Sequence, residues 1–329
     1  MSARTPQPQR PRHWGCVMSA MVTPFTADGA LDLDGAVRLA RWLADNGNDG
    51  LVVAATTGEA STLTDEERCD LIRAVSEAVT IPVLAGTGSN DTAHTVMLTR
   101  QAQGLGAAGV LVVAPYYNRP PQAGIEAHFR AAAEATKLPV MIYDVPIRTG
   151  RRVAQDVLLR LLTEVPNIVA FKDATGDPPA AAALVAQAGM HFDLYSGDDA
   201  FTLPLLAVGA VGVVGTTTHW TGKHTQAMIA AFHDGEVVRA RRINAQLLDS
   251  YRFVNSEDCV YPMSIKAMLR SRGVEVGECR LPLPPTPREM QDAARAVTAD
   301  MGFSPSPAGG GWGGGTCTNQ LDRRAMPPP

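Results

Sequence analysis

With 329 residues, 45% of them hydrophobic and 19% charged, the chain is long for an ordinary domain but has ample apolar material for one large core. Its formal net charge of −4, with no basic stripe, argues against a nucleic-acid or other polyanion partner. No apolar run approaches the roughly 20 residues needed to span a bilayer, so no membrane partner is expected.

Residues 1–13 are rich in Pro and Arg and are expected to be disordered. The apolar patch at 16–22 follows Arg4, Arg10 and Arg12, but it is too short for a signal-peptide core and runs into Thr23-Pro24-Phe25. It reads as a first strand. Further short β-rich runs follow at 51–54, 82–85, 110–114, 140–143, 168–172, 192–195 and 211–214. Several are apolar throughout rather than alternating, which is the pattern of parallel strands buried on both faces. Pro82 and Pro139 stand at strand entrances, where a missing N–H does little harm.

The stretches between the runs read as helices. Residues 33–45 place Leu39, Trp42 and Leu43 on one side. Thr64-Asp65-Glu66-Glu67 has the form of a capping box, and Asp91 can cap a helix over 92–103. Asp198-Asp199 precedes a helix over 200–208 and reads as its cap rather than as a metal site. The helical material from 220 to 272 exceeds one closing helix, and a last helix is expected over 287–299.

Eight βα units imply a (β/α)₈ TIM barrel with additional C-terminal helices. A doubly wound open sheet would carry a Gly-rich phosphate loop after its first strand, and Val22-Thr23-Pro24-Phe25 is not one. The expected organisation is a disordered segment over 1–13, the barrel over 14–219, helices packed on the barrel over 220–300, and a disordered Gly/Pro-rich tail over 301–329. Cys16, Cys69, Cys259, Cys279 and Cys317 are odd in number and form no Cys-x-x-Cys pair, so reduced thiols and a cytoplasmic location are expected. The histidines do not cluster with other ligands at metal spacing, and no metal or cofactor is expected.

Catalytic groups of such barrels stand at the C-terminal ends of strands. The chain has only four lysines: Lys137 precedes a strand, Lys223 and Lys266 fall in the later helices, and Lys172 alone ends a strand. Desolvation there lowers a lysine pKa, and the neutral amine is the nucleophile that attacks a ketone. The alternative is a lysine that neutralises Asp144, Asp173 or Asp198. Tyr143, one strand away, is a candidate proton shuttle or a packed aromatic. Thr56 and Thr57 offer hydroxyls and N–H groups suited to a carboxylate, or form an ordinary polar loop. Arg148 could clamp a carboxylate bidentately or make a structural ion pair.

Together, Thr56-Thr57-Gly58-Glu59, Ala85-Gly86-Thr87-Gly88, the run Tyr116-Tyr117-Asn118-Arg119-Pro120, Tyr143-Asp144-Val145-Pro146 with Arg148, Phe171-Lys172-Asp173-Ala174 and Ser196-Gly197-Asp198-Asp199 resemble the dihydrodipicolinate synthase family. That family lies within the pyruvate-dependent class I aldolases, which include N-acetylneuraminate lyase. The resemblance implies that Lys172 forms an imine with pyruvate and that the derived enamine attacks L-aspartate 4-semialdehyde, in lysine and diaminopimelate biosynthesis. It further implies a proton relay of Tyr143, Thr57 and Tyr117, with Tyr117 supplied by a neighbouring subunit of a tetramer built from dimers. Thr56 and Thr57 would meet the pyruvate carboxylate, with Val214 and Gly197 also at the substrate, and Arg148 would receive the semialdehyde carboxylate. For the regulatory ligand L-lysine, Asn90 and Tyr116 match the pattern, whereas Ala60, Asp65, Arg68 and His94 depart from it. Ala55 stands where glycine is usual, which would strain the loop if that position required a positive φ. The competing expectations are a lyase of sialic acid or of a 2-keto-3-deoxy sugar acid, and a non-catalytic keto-acid-binding protein on the same barrel.

Overall fold

A computed structural model describes residues 13–189, 192–254 and 260–300. Eight parallel strands form a closed barrel in sequential order, β1 to β8. They are β1 Val17–Ala20, β2 Gly50–Val53, β3 Val83–Gly86, β4 Gly109–Val113, β5 Val140–Asp144, β6 Ile168–Asp173, β7 Asp193–Ser196 and β8 Gly212–Gly215. Each lies within two residues of the run expected for it. Pro82 and Pro139 sit just before β3 and β5, and their carbonyls accept from Leu51 N and Val110 N, so each proline still serves the ladder as an acceptor. Closure between β8 and β1 requires close backbone approach. A Cβ on Gly212 would overlap the Cys16 carbonyl, so only glycine fits there.

The surrounding helices are α1 Leu33–Asp45, α2 Asp65–Ala78, α3 Thr92–Gln103, α4 Gln122–Glu134, the single turn α5 Pro146–Thr149, α6 Gln155–Glu164, α7 Pro178–Ala188, α8 Thr202–Leu206 and α9 Thr218–His233. Then come α10 Val237–Val254, α11 Met263–Ser271 and α12 Arg288–Asp300. Both halves of the capping box at α2 form: Glu67 N donates to Thr64 Oγ1 at 3.1 Å, and Thr64 N donates to Glu67 Oε2 at 3.0 Å. Asp91 caps α3 by accepting from Ala93 N and His94 N. Asp198 accepts from Ala200 N at 2.9 Å, as a cap should, whereas Asp199 has a different task.

One apolar layer lies between strands and helices, around Leu39, Leu71, Phe129, Leu161 and Leu184. A second fills the barrel, with Met18, Val52, Leu84, Leu111, Met141 and Tyr195 pointing inward. The N-terminal face is closed by Trp14, 3% exposed. Beside it, His13 Nδ1 lies 2.7 Å from Asp193 Oδ2.

The boundary expected at 219/220 falls inside α9, which packs on β1 and β8 as the eighth helix of the barrel. The helices beyond it are tied back by buried charge. Lys266 of α11 pairs with Glu59 at 2.8 Å, both side chains essentially inaccessible to water, and donates to Glu278 O at 2.9 Å. Arg280 grips both carboxylate oxygens of Glu67, at 2.8 and 2.6 Å, and stacks on Phe25. Among the described residues no helix is long and apolar enough to cross a membrane, and no group of three His, Cys, Asp or Glu could hold a metal ion. The expectations for residues 1–12 and for the tail over 301–329, including Cys317, lie outside the described residues, as does Cys259.

Candidate active site

The C-terminal rim of the barrel gathers most of the expected residues. Lys172 lies on β6 between Tyr143 of β5 and Tyr195 of β7 in the strand register. Side chains alternate along a strand, so these three point into the barrel, while the neighbouring Asp144, Asp173 and Ser196 point to the other face. This alternation removes Asp144 and Asp173 as partners for Lys172. Among the described residues Lys172 makes no ion pair; its ammonium nitrogen lies 4.2 Å from the centre of the Tyr143 ring.

Burial therefore dominates the acidity of Lys172. Only 4% of the residue is exposed, and desolvation pushes the amine down to about 8. The Asp199 and Asp198 carboxylates oppose the shift, and the Arg148 charge reinforces it. The comparison with Lys266 is informative. It too is buried, but a carboxylate at 2.8 Å satisfies it, which leaves Lys172 as the buried lysine without a counter-ion among the described residues. Tyr143 is 4% exposed, and burial raises its hydroxyl well above the ordinary tyrosine value.

A cavity of about 230 Å³ opens against Tyr143 and is also lined by Thr56, Arg148, Arg68 and Tyr116; Lys172 is not part of its wall but lies against the Tyr143 ring. Thr57 is buried at 3%, whereas its neighbour Thr56 is exposed. Their loop is fixed from several sides. Thr23 Oγ1 donates to Gly58 O at 2.6 Å, Glu59 N donates to Thr56 O at 3.1 Å, and the Glu59 carboxylate accepts from Arg280 N at 2.9 Å. The left-handed residues here are Ala54, with φ of 56°, and Glu59, with φ of 54°. Ala55 has no positive φ, so the strain it would bear if it needed one does not arise; the positive φ falls on Ala54, a buried alanine between β2 and the loop, at a cost of about 1–2 kcal/mol.

Arg148 stands on α5 directly after β5, exposed at the cavity wall. Its Nε donates to the hydroxyl of Tyr261 at 3.1 Å. Val214 is fully buried on β8, beside Met18 of β1. Gly197 follows β7, and its N–H is engaged by Asp173 O at 2.7 Å. A Cβ there would lie 2.8 Å from that of Ala174, so its place at the rim is a matter of close packing. Tyr117 is not brought to the others within one chain. It is 90% exposed and sits in the left-handed region with φ of 71°, followed two residues later by Arg119 with φ of 48°. An exposed aromatic on so strained a loop is presented outward.

Sequence reading missed several supports. Asp199 is buried and accepts four hydrogen bonds from the loop after β8: Thr216 N and Oγ1, both at 2.8 Å, Thr217 N at 3.3 Å and Thr217 Oγ1 at 2.7 Å. It therefore straps β7 to β8 and faces Lys172 electrostatically. His219, neutral because burial pushes it down to about 4, accepts from Val22 N at 3.2 Å through Nε2. Its Nδ1 lies 2.7 Å from Thr216 O, which fixes the proton on that nitrogen. The run Thr216-Thr217-Thr218-His219 after β8 is thus a seam that closes the barrel. Tyr261 was also missed, because nothing local in the sequence reports its contact with Arg148 across 113 residues.

Residues 13–300 match the dihydrodipicolinate synthetase family. The chain is 50% identical over 298 residues to a 4-hydroxy-tetrahydrodipicolinate synthase of Acidothermus cellulolyticus, covering 90% of this chain and 95% of that one. It is 46% identical over 294 residues to the enzyme of that name from Moorella thermoacetica, covering 88% of this chain and 99% of the other. Among solved structures, a dihydrodipicolinate synthase of Bacillus anthracis superposes with a TM-score of 0.84 at 41% identity, over 89% of this chain and 99% of that one. One from Cyanidioschyzon merolae, solved with lysine bound, gives 0.87 at 40% identity, over 89% of this chain and all of the other. The chain belongs to the dihydrodipicolinate synthetase family.

Proposed function

We propose that the protein is a 4-hydroxy-tetrahydrodipicolinate synthase, which condenses pyruvate with L-aspartate 4-semialdehyde in lysine and diaminopimelate biosynthesis. The observation that carries the reading is Lys172: a buried amine at the end of β6, pushed down to about 8 and set over the ring of Tyr143, which lines the cavity. The free amine attacks the pyruvate ketone, and loss of water gives an imine. Removal of a methyl proton gives the enamine, whose carbon forms the new C–C bond at the aldehyde. The amine of the second substrate then attacks the imine carbon, closes the ring and releases Lys172. One water is lost overall.

In this scheme Tyr143, Thr57 and Tyr117 pass protons, and Thr56 and Thr57 meet the pyruvate carboxylate. Val214 and Gly197 bound the pyruvate site through backbone, and Arg148 receives the semialdehyde carboxylate. Tyr117, exposed in one chain, fits a role in the site of a neighbouring subunit, within a tetramer built from dimers. A cytoplasmic location suits the pathway. Arg148 on the cavity wall favours this aldehyde over a neutral sugar, and a buried lysine whose amine is pushed down to about 8, so that it gives up its proton far more readily than an ordinary lysine, favours catalysis over simple keto-acid binding. The test is a coupled assay with pyruvate and L-aspartate 4-semialdehyde, together with borohydride trapping. The expected result is turnover and a single pyruvate adduct on Lys172. An adduct on Lys223 or Lys266 instead, or none, refutes the mechanism.

A further inference from the structure

Arg148 has little in its own element to hold it. It lies on a single helical turn, is exposed, and has a side chain with about 2 kcal/mol of rotamer entropy to lose on being fixed. The partner that fixes it comes from the other end of the chain. Tyr261, partly buried between α10 and α11, accepts a hydrogen bond from Arg148 Nε at 3.1 Å. The guanidinium carbon lies 4.4 Å from the centre of the same ring. Two different attractions, a hydrogen bond and a cation–π contact, thus act on one planar group from one side chain.

The geometry of the guanidinium makes this more than packing. With Nε occupied by Tyr261, the two terminal nitrogens remain as a fork, the end of the group that meets a carboxylate bidentately. Among the described residues Arg148 makes no other side-chain hydrogen bond.

We infer that Tyr261 is a positioning residue for the second substrate: it holds Arg148 so that the free fork faces the carboxylate of the incoming semialdehyde. The inference rests on the reaction proposed above. It also explains why a tyrosine stands in a connection that otherwise only leads into α11. Tyr261 acts through Arg148, so its effect belongs to the second substrate and not to imine formation.

The test compares Tyr261→Phe, which keeps the ring and loses the hydroxyl, with Tyr261→Ala, which loses both contacts, each alone and on an Arg148→Ala background. The expected outcome is a rise in KM for the semialdehyde of about 3-fold for Phe and about 10-fold for Ala. The KM for pyruvate and borohydride trapping on Lys172 should stay at wild-type values. On the Arg148→Ala background neither change should add anything, because the group through which Tyr261 acts is gone. Equal rises in both KM values, an unchanged semialdehyde KM, or additive losses on the Arg148→Ala background would each overturn the positioning role. A wild-type protein that traps no pyruvate would instead overturn the imine reading, and this one with it.

Discussion

Replacing Lys172 by Met should make the protein inactive and more stable, and the gain should depend on pH in a defined way. Burial lowers the amine from the ordinary lysine value of 10.5 to about 8. Between those values the unfolded chain binds a proton that the folded chain does not, so wild-type stability rises with pH across that window. Below about pH 8 both states are protonated and the full penalty for burying the ammonium applies, about 3 kcal/mol at one pKa unit per 1.36 kcal/mol. Met fills nearly the same volume without a charge and has no such slope. The variant should therefore exceed wild type by about 3 kcal/mol at pH 7, by about 2 kcal/mol at pH 9 and by about 1 kcal/mol at pH 10. Loss of the ring contact with Tyr143 subtracts a little from the first figure. Urea unfolding of both proteins at the three pH values measures the gap. A gap that is constant from pH 7 to pH 10, or a variant less stable than wild type at pH 7, would mean that the amine is not held against its charged form.

Three other expectations concern different parts of the molecule. Glu59→Ala leaves the Lys266 ammonium buried with the Glu278 carbonyl but no counter-ion and should cost about 3–5 kcal/mol in urea unfolding, while Glu59→Ala combined with Lys266→Met should recover most of that loss. If Tyr117 serves a neighbour's site, mixing inactive Tyr117→Phe and Lys172→Ala subunits should restore about a quarter of wild-type turnover, the share of intact sites expected from random pairing in a two-fold dimer; no recovery after verified subunit exchange would place the relay within one chain. Free L-lysine should inhibit weakly, with half-inhibition above about 1 mM in an initial-rate titration, because His94 Nε2 is engaged by Asp65 at 2.9 Å and Arg68 presents a buried positive charge at the cavity.

The barrel was legible because its strands are buried on both faces, so that a run such as Val110 to Ala114 must be apolar throughout and stands out against amphipathic helices. Lys172 was legible by position, since a chain with few lysines offers only one at a strand end. The supports of the site were not. Lys266 sits in a helix whose local pattern gives a lysine there the look of a surface residue, and its burial follows only from Glu59 arriving opposite it. Tyr261, Arg280 and Asp199 likewise owe their roles to partners far away in the chain. The sign of a φ angle has no local signal either, so the sequence left open whether Ala55 needed a positive φ, and the residue that adopts one is Ala54.

The anchoring of the Thr56–Glu59 loop has a consequence for how the protein comes to life. Glu59 leaves the ribosome early, yet the backbone N–H that its carboxylate accepts from, that of Arg280, follows 221 residues later. At about 5–20 residues per second the interval is roughly 10 to 45 s. Throughout that time the loop meant for the keto acid has its carboxylate but neither Lys266 nor Arg280 to hold it. The nascent chain can close most of its barrel during synthesis, but it cannot complete its reaction centre. A transcript cut short between β8 and α11 would encode a protein with every reacting side chain in place and none of the clasp that sets the threonine loop, so function is delivered only once nearly the whole message has been read.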